Sequence, residues 1–116
     1  MKRMSVAIFL FLLQSSVVPQ RSVVIHAGFL KARDYLDMPS EGQKTYAMGL
    51  MDGFYMAPLF GAPDQNKNLV SLYPCVEGMK ASQVAAIIEK YVKDHPEHWH
   101  LDLKLEAYTA MQGACP

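Results

Sequence analysis

The spacing of apolar positions divides residues 28–116 into helical segments punctuated by proline, glycine and short polar stretches. The clearest signal begins at Ser82, where Val84, Ile87, Ile88, Tyr91 and Val92 recur at i, i+3, i+4, i+7 and i+8 while Glu89, Lys90, Lys93 and Asp94 take the opposite face. That pattern predicts an amphipathic helix. Upstream, Phe29, Leu30, Ala32, Tyr35 and Leu36 keep near-helical spacing and predict a short first helix over 28–38, closed by Pro39. Ser40 and Gln43 have the spacing of a capping box and open a second helix, Glu41 to Ala57, that stops before Pro58.

Within the second helix Gly49, Gly53 and Ala57 recur every four residues. A glycine in a helix interior costs about 0.5 to 1 kcal/mol, so two of them call for a reason, and close approach of another helix backbone in the core is the expected one. Asp52 beside them reads as a solvated or hydrogen-bonded carboxylate, and Met48, Met51 and Met56 as core packing. Leu59 and Phe60, in the proline-flanked stretch PLFGAP, are expected to plug the end of the core. The polar run Asp64, Gln65, Asn66, Lys67 and Asn68 predicts a surface turn or the start of a third helix ending near Tyr73, with Pro74 leading into Cys75.

The last segment, 97–113, is ambiguous at its start. Trp99, Leu101, Leu103 and Leu105 alternate as in a strand, whereas Tyr108 and Met111 continue better on a helix, and a lone strand has no sheet to join. Pro96 suits the first turn of this segment. The expected fold is all-α, a small bundle of about five helices.

The first residues change where this bundle is placed. Lys2 and Arg3 precede an apolar run from Met4 to Leu13 interrupted only by Ser5, the two halves of a secretory signal. The run is shorter than the roughly 20 residues that cross a bilayer, so export is the preferred reading and an uncleaved tether the alternative. Ile25-His26-Ala27 is the best cleavage candidate, leaving residues 28–116 as one domain in the periplasm. That part keeps eight of the eleven Lys and Arg and all eleven Asp and Glu. Mildly acidic and without a basic stripe, it is a poor partner for nucleic acid, and beyond the tag it has nothing to hold it to a membrane.

Export also decides the reading of the two cysteines. Cys75 and Cys115 are expected to pair as one disulfide in an oxidising compartment, the rival being two buried thiols. Neither a C-x-x-C redox pair nor a four-cysteine zinc set is present. His95, His98 and His100 cluster around Trp99, but His100 points away from the other two on a helix and Pro96 interrupts the geometry, so no metal or cofactor is assigned. With no Gly-x-Ser-x-Gly elbow and no base assignable to a serine, the residues point away from an enzyme and toward binding.

Two stretches carry a likeness: Tyr46 to Pro63, YAMGLMDGFYMAPLFGAP, and Cys75 to His100, CVEGMKASQVAAIIEKYVKDHPEHWH, with FLKARDYLDM upstream and the closing Cys115. In this order they resemble the Rap/Tai family of periplasmic immunity proteins associated with type VI secretion. The resemblance implies a helical, disulfide-bonded domain that occludes the cysteine-histidine cleft of a cognate peptidoglycan amidase, often as a homodimer. One departure is Lys80-Ala81-Ser82, which stands where a threonine or aspartate cap is usual and shifts helix initiation onto Ser82.

The matched residues read as scaffold, so the candidate partner contacts come from expected exposure: Asp64, Gln65, Asn66, Lys67 and Asn68 on the polar turn, and His98, Trp99 and His100 near the last helix. The alternative function is a periplasmic acid-stress chaperone of the HdeA type, since the carboxylates and histidines turn the domain positive as pH falls.

Overall fold

The computed structural model describes residues 24–60 and 67–116, with backbone alone at 67–70. Five α-helices form among them: α1 (Ala32–Asp37), α2 (Ser40–Met56), α3 (Lys67–Val76), α4 (Ala81–Asp94) and α5 (Leu103–Ala114). Short 3-10 turns follow α2 (Ala57–Phe60) and α4 (Pro96–His98). The domain is all-α, as the periodicity predicts, and the proposed signal segment falls largely outside the described residues.

Helix α4 is central, packed on α2 and α5, with α1 laid across α4 and α5. Its predicted face delivers Val84, Ala85, Ile88 and Val92 to the core, with Ile87 and Tyr91 half-buried at the edge of that stripe. Tyr35, Leu72, Ile88, Leu103 and Met111 are completely enclosed. Burial of each Leu, Ile or Met contributes about 1.5 to 3 kcal/mol.

The disulfide joins Cys75 on α3 to Cys115 just beyond α5, with Cα atoms 5.8 Å apart. Closing a chain loop of this length, 40 residues, stabilises the fold by about 4 kcal/mol in the chain-entropy treatment.

Several local expectations are corrected by the tertiary structure. Helix α1 begins at Ala32, and Phe29 stands wholly in solvent, because residues 28–31 are drawn into extended backbone beside 99–103. Lys31 and Asp102 form an isolated antiparallel bridge, flanked by Ala32 N–H to Leu101 C=O at 2.9 Å and Leu103 N–H to Leu30 C=O at 3.0 Å. The alternation at Trp99–Leu105 thus marks an extended segment up to Asp102, and α5 starts later than the expected residue 97.

The capping box at Ser40 and Gln43 does not form. Pro39 is the N-cap, and the buried Gln43 Nε2 donates instead to Tyr35 C=O at 2.8 Å. The Tyr35 hydroxyl in turn donates to Ala85 C=O at 3.0 Å, tying the α1–α2 corner to α4. Ser82 is not the α4 cap either; Lys80 holds that position. Pro74 lies inside α3, which runs on to Val76, where a break had been expected near Tyr73.

Among the described residues the Gly49–Gly53 face meets no other backbone. A Cβ at either glycine would find nothing within 4 Å. Leu59 and Phe60 are about three-quarters exposed and plug nothing, and of the three α2 methionines only Met51 is buried.

Candidate functional site

Residues of α2, of the end of α3 and of the start of α4 line an open surface groove. Met48, Met51, Asp52 and Tyr55 follow one another on α2 at i, i+3, i+4 and i+7, the spacing of a single helix face. Tyr73 and Val76 from α3, Glu77 and Met79 from the connection that follows, and Ala81 and Val84 at the start of α4 complete an open groove of about 420 Å³. The buried side chains of Ala47, Met51, Val76 and Val84 supply its apolar lining, and Met48 and Tyr73 stand half-exposed beside them.

Tyr55 and Tyr73 meet edge to face, ring centroids 5.2 Å apart, joining the α2 and α3 walls. Burial, then Tyr73 and Asp52 nearby, push the Tyr55 hydroxyl above its ordinary value, so it stays neutral and able to donate a hydrogen bond at physiological pH. The groove's charged side chains are both acidic, Asp52 and Glu77, and neither makes an ion pair among the described residues. Past the end of α2, Met56, Leu59 and Phe60 extend the apolar surface into solvent. Exposed apolar surface of this kind is what protein contact surfaces present.

The sequence-derived contact candidates do not converge here. Asp64, Gln65 and Asn66 lie outside the described residues, and Lys67 and Asn68 form the first turn of α3. The histidine segment occupies the junction of α4 and α5. Trp99 is partly a structural clamp: its indole N–H donates to Val92 C=O at 2.8 Å near the end of α4, while its own carbonyl accepts from Arg33 N–H at 3.2 Å. His98 Nδ1 pairs with the buried Glu106 at 3.0 Å, and His100 is exposed.

His95 and His98 stack with centroids 5.5 Å apart, and His95 stacks on Tyr91 at 4.1 Å. Each ring is engaged by a carbonyl or carboxylate: His95 Nδ1 contacts Tyr91 C=O at 2.8 Å. No set of three or more His, Cys, Asp or Glu side chains that could hold a metal ion occurs among the described residues. A smaller groove of about 290 Å³ lies at the amino end between Phe29, Tyr46 and Lys104.

Sequence reasoning missed the main groove. The signal available was the α2 stripe of Met48, Met51, Asp52 and Tyr55, in which a carboxylate interrupts an apolar face otherwise suited to a core. Fold and surface together define a disulfide-stapled all-α domain with an open apolar cleft. No protein-family model, curated protein or solved structure matches the chain.

Proposed function

We propose that the protein is a periplasmic immunity protein, which binds and occludes a cognate peptidoglycan amidase delivered by type VI secretion and so protects the producing cell. The observation that carries the binding half of this reading is the apolar surface formed by the α2–α3–α4 groove and the exposed Met56, Leu59 and Phe60. Leaving so much apolar side chain in water costs free energy unless a partner covers it. The amidase as partner comes from the resemblance of the motifs at Tyr46–Pro63 and Cys75–His100. An export tag and a disulfide suit a protein that meets its target outside the cytosol.

On this reading the chain is not an enzyme and needs no cofactor; it acts by covering a catalytic cleft, as a monomer or as a homodimer. The test is direct. The oxidised protein, titrated calorimetrically with the purified amidase encoded beside its gene, is expected to bind stoichiometrically and abolish cleavage of peptidoglycan. Absence of binding and of protection in cells exporting that amidase to the periplasm overturns the proposal.

A second reading, the acid-stress chaperone, is favoured by one observation, the carboxylate content of the domain. Residues 28–116 carry all eleven carboxylates, so strong acid leaves the domain with a large positive charge, a route to charge-driven opening. Loss of helicity near pH 2 together with suppression of client aggregation would support it; unchanged helicity there removes it.

A further inference from the structure

We propose that the groove between α2, α3 and α4 takes a segment of the partner protein that presents apolar side chains together with a lysine or arginine. The inference rests on the immunity reading above and specifies the chemistry of the contact. Its first ground is charge. Asp52 from α2 and Glu77 from the turn after α3 line an otherwise apolar cleft, and among the described residues no cationic side chain lines it with them.

Both carboxylates are solvent-exposed and free of ion pairs among the described residues, so a cation entering the groove meets negative charge without breaking an existing pair. A lysine or arginine fits this arrangement well, because its aliphatic stem lies along apolar surface while its charged head reaches the carboxylates. Tyr55 and Tyr73 add aromatic faces suited to the same cation. An acidic segment or a phosphate meets only repulsion here.

The second ground is shape. Methionine side chains at 48, 51 and 79 are flexible and polarisable, and they adapt to apolar anchors of differing outline. Gly49 and Gly53 stand beside the stripe with open space above them, which lets a second backbone approach α2.

The experiment compares the oxidised full-length protein with the double reversal Asp52→Lys/Glu77→Lys, the single variant Met48→Lys, and a charge control distant from the groove, Glu97→Lys. Each is titrated with the purified amidase encoded beside its gene at low and moderate salt, after circular dichroism has established native helicity. The inference predicts that Asp52→Lys/Glu77→Lys weakens binding about tenfold or more and flattens its salt dependence, that Met48→Lys weakens it too, and that Glu97→Lys leaves it unchanged. Wild-type binding that survives both groove variants overturns this inference and leaves the immunity reading standing, as does equal weakening by Glu97→Lys. An amidase that fails to bind the wild-type protein removes the immunity reading and this inference with it.

Discussion

His98 Nδ1 lies 3.0 Å from Glu106 Oε2, and this contact ties the 3-10 turn after α4 to a carboxylate only 6 % exposed within α5. A buried carboxylate that loses its side-chain partner keeps the desolvation cost and forfeits the compensation. His98→Ala is therefore expected to destabilise the domain by about 1 to 2 kcal/mol, the upper range being discounted because the ring itself reaches solvent. Glu106→Gln, which keeps the volume, should cost less, and a double-mutant cycle in urea should give a coupling of about 0.5 to 1 kcal/mol.

Asp102 fastens the amino-terminal segment to α5. Its carboxylate accepts from Lys31 Nζ at 2.5 Å and from Gly28 N–H at 2.9 Å, and these two bonds, the lysine's first, hold it below the usual carboxylate range. A depressed value in the folded state means that the stabilisation is complete above the unfolded carboxyl's pKa, about 3.9, and is lost as pH falls through the folded value. Urea midpoints measured from pH 7 to pH 2 should fall less steeply below pH 4 in Asp102→Asn than in the wild type, from a lower starting point at pH 7.

The opposite limb belongs to two tyrosines. Burial, with Glu89 and Tyr46 adding to it, raises the Tyr35 hydroxyl far above its ordinary 10.0, and burial pushes Tyr46 up to about 12. Raised folded values contribute stability that is complete below pH 10 and is lost as pH climbs toward the folded values, by about 1.4 kcal/mol per group per pH unit at most. Phenolate absorbance should therefore show Tyr35 and Tyr46 titrating last of the tyrosines, released together when the domain unfolds in alkali. Tyr46→Phe should remove one of them.

Gly49→Ala and Gly53→Ala should each stabilise the isolated protein by about 0.5 to 1 kcal/mol, because the added methyl meets open space and the helix loses a flexible residue. Thermal melts of both variants check this. A fall in stability would mean that a second backbone lies on this face in solution.

Reduction of Cys75–Cys115, or Cys75→Ser, should lower stability by about 4 kcal/mol, a drop in Tm on the order of 20 °C for a domain of this size. Melts with and without reductant measure it.

What could be read in advance was whatever depends on neighbours in the chain. The α4 stripe at Val84, Ile88 and Val92 is a local periodicity, and it reached the core as expected. The cysteine pairing was legible because the sequence holds two cysteines, Cys75 and Cys115. The misreadings share one cause, competition from distant partners. Gln43 had a plausible local role in a capping box, yet the carbonyl of Tyr35 claimed its amide. The alternation around Leu101 and Leu103 called for a pairing strand, and the segment at Leu30–Ala32 supplied a single bridge.

Gly49 and Gly53 suggested a crossing helix, but the direction in which α2 presents its small residues is set by where Ala47 and Met51 bury, and those choices turn the glycines outward. The groove was illegible for the same reason. It is the gap left where three helices diverge, and no single one of them encodes it.

The covalent loop closed at residues 75 and 115 contains the whole of α4 and α5, whereas α1 and α2 lie outside it and are held by packing and hydrogen bonds. A protease that cuts once anywhere between these two cysteines produces two fragments that stay tethered, poised to re-engage across the core. A single nick in the central or final helix therefore leaves both pieces joined for as long as the disulfide is oxidised.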